Sequence, residues 1–172
     1  MLKQIMLAAL IAVAACGALE PMTLAAVSRL NPLTTDPGDL AVRVTLPDSV
    51  GLVHGSAVLS LSAVRRDGAE TGGAFALRRR ADVFDVDPGD HDALRALQAQ
   101  IATWKAEDDS GTTGSLSVGF EPCRTGDAIP SGARASVDIQ MAADGPFLPL
   151  LTDADVRQMF KKAAQGPIAP CQ

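Results

Sequence analysis

Ala133-Arg134-Ala135-Ser136-Val137-Asp138-Ile139-Gln140-Met141 is the stretch whose reading decides the fold. Apolar residues take every odd position and polar ones every even position, the period of a strand with one buried and one wet face. Working outward, the same alternation returns in Leu116, Val118 and Phe120, set between Ser115, Ser117, Gly119 and Glu121. Near the start of the folded part, Leu40, Val42, Val44 and Leu46 alternate with Ala41, Arg43 and Thr45, and Pro47 ends the run. Ala57, Leu59, Leu61 and Ala63 line one face between Ser56 and Arg65. Asp67-Gly68 and Gly72-Gly73 mark a loop, and the chain returns over Ala74 to Arg80 as a hairpin. With Phe75 and Leu77 on the apolar face, Arg78 and Arg80 share the opposite face with Ser60 and Ser62. Val83, Phe84 and Val86 add a short strand, and Phe147 to Leu151 a short strand or extended link.

Two segments change period. Leu94, Leu97, Ile101 and Trp104 recur at spacings of three and four, one stripe of a helix. Asp87 or Asp90 caps its start, Pro88 suits an early helical position, and Asp108-Asp109-Ser110-Gly111 ends it. Thr152, with Asp155 three residues on, reads as a capping box opening a second helix. Val156, Met159, Phe160 and Ala163 form its apolar face, Lys161 and Lys162 sit near its end, and Gly166-Pro167 stop it. The expected fold is α+β: an antiparallel sheet in βββα-βββα order with two helices packed on it. The alternative is a β-sandwich with peripheral helices.

The N-terminus carries a different signal. Lys3 precedes Ile5–Ala15, an uncharged apolar run. It is too short to span about 30 Å of hydrocarbon but has the length of a signal-peptide core. The following Val13-Ala14-Ala15-Cys16 resembles the lipobox of bacterial lipoprotein precursors: an aliphatic residue, two small residues, then cysteine. Val stands where Leu is commoner, and the resemblance covers the first 16 residues alone. It implies that 1–15 is a signal peptide and that Cys16 is the lipidation site, carrying a diacylglyceryl thioether and an N-acyl chain. The product would be a membrane-anchored lipoprotein of the cell envelope facing the periplasm. Gly17, in place of the Asp that marks inner-membrane retention in enteric bacteria, favours the outer membrane.

The chain has three cysteines, and lipidating Cys16 leaves Cys123 and Cys171 to form a disulfide. Residues 16–39 read as a tether broken by Pro21, Pro32, Pro37 and Gly38, spanning roughly 25 Å as a coil. In the other reading of this segment, Met22, Leu24, Val27 and Leu30 form a short apolar face that docks on the domain. Residues 40–172 form one domain.

Composition narrows the function. Aromatic residues are only 3%, too few for a sugar-binding or base-stacking surface, and a net charge of −5 argues against nucleic acid. Asp82, Asp85, Asp87, Asp90 and Asp92, with His91 among them, are the densest acidic run. Their spacing fits no EF-hand, so they read as carboxylates at a helix start rather than a metal site. His54 and His91 are the available imidazole bases, and no G-x-S-x-G, H-E-x-x-H or phosphate-binding loop accompanies them. No catalytic residue and no cofactor is assigned. Arg78 and Arg80 are candidate contacts for an anionic partner. The leading expectation is a non-catalytic lipoprotein bound to membrane lipid through Cys16, presenting a domain to an envelope protein partner. A carrier of a small apolar ligand or lipid is the alternative, and an envelope hydrolase the third.

Overall fold

The computed structural model describes residues 31–160 and 168–172. The expected signal peptide, Cys16, the apolar residues Met22 to Leu30, and Lys161, Lys162, Ala163, Gly166 and Pro167 lie outside the described residues.

Among the described residues, nine strands, one long helix and a short one make up the body: β1 (Ala41–Thr45), β2 (Val50–Leu52), β3 (Val58–Arg65), β4 (Glu70–Arg80), β5 (Val83–Val86), α1 (His91–Glu107), β6 (Thr112–Gly119), β7 (Pro122–Arg124), β8 (Arg134–Gln140), β9 (Leu148–Asp155) and α2 (Val156–Met159). Seven strands form one curled sheet in the order β6-β3-β4-β5-β1-β8-β9, all paired antiparallel. The remaining β2 and β7 pair as a separate ribbon. The antiparallel α+β expectation therefore holds in outline, whereas the order is five strands, a helix, four strands and a helical turn rather than βββα twice.

Register carries the alternation across the whole sheet. Leu59 faces Phe75 and Val118, Val42 faces Phe84 and Ile139, and Val44 faces Val137. These side chains share one concave, apolar face. The opposite face carries Ser60 beside Ser117, Ser62 beside Ser115, and Arg43 beside Asp138. Arg78 and Arg80 lie on this polar face, as the hairpin register required.

Three local readings are corrected. Gly72-Gly73 are not loop but lie within β4. Gly73 is small because the Phe75 ring and Leu97 press on it: a Cβ there would meet the ring at 2.9 Å. The turn itself is Arg66–Ala69, with Gly68 at φ 85° and Arg65 N–H donating to the Ala69 carbonyl. At the C-terminal helix, Thr152 belongs to β9, and Asp155 is the cap, accepting from the N–H groups of Arg157 and Gln158. The folded body also begins before Leu40. Pro37 is buried, and Gln98, only 4% exposed on α1, donates its amide to the Pro32 carbonyl (2.7 Å) and the Thr35 carbonyl (2.9 Å). Asp36 pairs with Arg95 at 3.0 Å.

A disulfide joins Cys123 to Cys171, as expected, and clamps the C-terminal tail to β7. The tail also bonds in register there: Arg124 N–H donates to the Ala169 carbonyl and Cys171 N–H to the Arg124 carbonyl. Closing a loop of this length contributes about 4 kcal/mol in the chain-entropy account.

Candidate functional site: an apolar groove between the sheet edges

The sheet curls until its two edges, β6 and β9, face each other across a cavity of about 490 Å³. Leu116, Val118 and Phe120 form one wall, with Phe120 fixed edge-on to Phe84 at 5.2 Å between ring centroids. Val137 and Ile139 of β8 form the floor, and Leu150, Leu151 and Met159 the far wall. The floor residues are buried, while both walls are half-buried apolar side chains that project into the space. Pro32, held in place by the Gln98 amide, closes one end.

Such a groove arises directly from the alternation. One face of every strand is apolar, and the curl turns that face inward. α1 lays Leu94, Leu97 and Ile101 over β3 and β4, burying that half of the concave face. It also touches β6 but makes no comparable packing against β8 or β9. A cavity of this size, apolar in lining, fits the usual range of small-molecule sites, about 300–1,000 Å³. Its chemistry suits hydrocarbon: the lining carries no charged side chain, and Ser117 is its one hydroxyl. A larger space of about 770 Å³ runs along the other side of Pro32, between α1 and the start of β6, and is more polar through Lys105, Asp109 and Thr113.

The sequence-derived candidates fall elsewhere. Arg78 lies 3.5 Å from Asp85 and 3.6 Å from Asp87, and Arg80 2.8 Å from Asp85, so each already faces a carboxylate. Asp85, Asp87, Asp90 and Asp92 of the acidic run are spent on structure. Asp87 accepts from Gly89 N–H, Asp90 from Ala76 N–H, and Asp92 pairs with Arg95. Among the described residues no group of His, Cys, Asp and Glu is placed to hold a metal ion. His91 sets a ring nitrogen 3.2 Å from the Val86 carbonyl. His54 is exposed in the β2–β3 loop, while the neighbouring Ser56 hydroxyl donates to the Val53 carbonyl and accepts from Glu121 N–H. The two residues are not brought into a nucleophile–base pair.

Two carboxylates sit below the ordinary range. Asp36 is lowered by the hydrogen bond from Gly38 N–H and then by Arg95; Asp108 is lowered by Gly111 N–H and then Ser110. Both stabilise loop ends and neither faces the groove. No described helix is long and apolar enough to cross a membrane. Comparisons with protein-family models, with curated proteins and with solved structures gave no match.

Proposed function

We propose that this chain is a non-catalytic lipoprotein of the cell envelope, anchored through acylated Cys16, whose domain holds a small apolar ligand or a lipid acyl chain in the groove between β6 and β9. The observation that carries this reading is the groove itself: an apolar space of about 490 Å³ in a sheet whose other half is closed by a helix. An anchor beside a membrane places the groove next to a reservoir of acyl chains. The anchor rests on the lipobox-like Val13-Ala14-Ala15-Cys16, and outer-membrane placement on Gly17.

The test is native mass spectrometry of protein extracted from its host, with the mass of the Cys16 modification accounted for. An added apolar molecule that disappears in a Leu150→Asp variant of unchanged far-ultraviolet circular dichroism supports the reading. Wild-type protein that never carries or takes up such a molecule overturns it. Incorporation of labelled palmitate, lost in Cys16→Ser, checks the anchor independently.

One feature favours a second reading, an envelope protein partner that adds a strand. β6 is an eight-residue edge strand in unbroken register with β3, without charge or proline. The opposite edge, β9, is blunted by Pro149, by Asp153 at φ 51° and by irregular pairing to β8. A Ser115→Pro substitution, on β6 but outside the groove lining, that abolishes partner capture while leaving apolar uptake intact separates the two readings.

A further inference from the structure

We propose that Arg79 anchors a second binding site, beside the β2–β3 loop, for a small monoanionic carboxylate with a short apolar body. The site is separate from the groove between β6 and β9 and goes beyond the function proposed for that groove.

Strand alternation puts a charge on an apolar face. Phe75 and Leu77 of β4 are buried in the interior, and Arg79 is the next residue of that series. Its cross-strand partner is the buried Phe84, and its guanidinium carbon lies 5.8 Å from the centre of that ring. Arg78 and Arg80 belong to the other face, where Asp85 and Asp87 meet their charges. Among the described residues no carboxylate pairs with Arg79, and its one side-chain hydrogen bond runs from Nε to the Ala81 carbonyl at 2.7 Å. Ala81 turns the chain from β4 to β5 at φ 60°, a conformation that residues with a Cβ seldom adopt. The turn thus holds the guanidinium by one edge and leaves Nη1 and Nη2 as an open fork.

A cavity of about 370 Å³ lies against that fork, between β4, β5 and the β2–β3 loop. Leu52, Leu77 and Phe84 make its lining apolar, and His54 and Arg79 line it as well. Val53, also in the lining, is one of the two large apolar side chains exposed among the described residues. The loop is held in shape. The Ser56 hydroxyl and N–H both donate to the Val53 carbonyl, Val53 N–H donates to the Glu121 carbonyl, and Gly55 takes the φ of 74° that the reversal needs. This cavity and the groove share no lining residue; the edge-on rings of Phe84 and Phe120 stand between them.

These features select the ligand. A planar guanidinium fork matches the two oxygens of a carboxylate. Arg78 also lines the cavity, but its charge is already met by Asp85 and Asp87. One spare positive charge remains, which suits a monoanion better than a dianionic phosphate. His54 supplies a further donor, since an imidazole offers at least one N–H in either protonation state. The apolar lining takes a short chain or a ring.

The test is equilibrium dialysis of labelled 3-phenylpropionate against the full lipidated chain in phosphatidylcholine nanodiscs, with protein-free nanodiscs as the blank. The expected result is saturable uptake at a single site, weakened about tenfold by Arg79→Gln and unchanged by Arg80→Gln. Both arginines are exposed, so neither substitution endangers the fold. Bound carboxylate should also shield Arg79 from phenylglyoxal, as read by mass spectrometry of its peptide. Uptake that survives Arg79→Gln, equal uptake of the uncharged 3-phenylpropionamide, or no saturable uptake overturns the proposal. Uptake lost in Leu150→Asp but kept in Arg79→Gln assigns the carboxylate to the groove; the second site then falls and the groove reading stands. Uptake lost in Arg79→Gln, with no apolar molecule ever held by the groove, leaves the second site standing and the groove reading fallen.

Discussion

The concave face of the sheet has two halves built from the same kinds of residue, and they end in different states. Under α1, Leu59, Leu61, Phe75 and Val86 are at most 5% exposed, closed by Leu94, Leu97 and Ile101. Away from β3 and β4, where α1 packs most closely, Val118, Leu150 and Leu151 remain half-buried around open space. Alternation in a strand thus specifies which face turns inward; whether that face is filled depends on a second element with a matching stripe. A packed interior and a binding groove can be written in the same strand code.

The contrast can be broken most sharply in the closed half. Ile101→Ala removes a side chain that is 1% exposed and leaves a void, at a cost of about 3 kcal/mol in urea unfolding. Gln98→Ala deprives the Pro32 and Thr35 carbonyls of their donor; we expect a loss of about 2 kcal/mol, with faster hydrogen exchange at residues 33–39. In the open half the equivalent truncation, Leu150→Ala, is expected to cost no more than about 1 kcal/mol, because the leucine touches space on one side. A loss there as large as that for Ile101→Ala would mean that the groove is filled as tightly as the closed half.

The smallest effect is that of acid. Asp36 and Asp108 hold their carboxylates below the ordinary value near 4, so each contributes stability that is present above that value. The contribution is lost as pH falls through the depressed pKa. Stability is thus level from neutrality to about pH 5 as far as these two groups are concerned and declines below about pH 4. Asp36→Asn flattens part of that decline; a Tm profile against pH that is unchanged by the substitution would refute the role given to this carboxylate.

Much of the architecture was legible in the sequence, since β1, β3, β6 and β8 each alternate over enough residues to fix their inward face. α1 was legible through its stripe. The misreadings have local causes. Gly72-Gly73 signalled a loop by residue type, but in β4 the absent side chain makes room for Phe75. β2 and β7 are three residues each, too short to display a period. Thr152 and Asp155 have capping-box spacing, yet Asp155 alone caps α2. The groove was not legible, because alternation carries no information on how far a helix extends over a sheet. One signal was available and unused: Gln98 lies on the apolar stripe of α1, between Leu94 and Ile101, and a polar side chain there asks for a buried partner. That partner proved to be the backbone at Pro32 and Thr35.

Were the proposed anchor at Cys16 to pull on the body, the first described contacts to take the load would be those that follow Asn31. The Gln98 clasp and the Asp36–Arg95 pair meet that load within a few residues, and pass it into a helix rather than into the edge of a sheet. Strain from thermal motion of the membrane, or from a partner pulling away, would first loosen this clasp and leave the strand ladder intact. Under that proposal the clasp would act as the mechanical fuse of the molecule, and Pro32, which it holds, lines the groove.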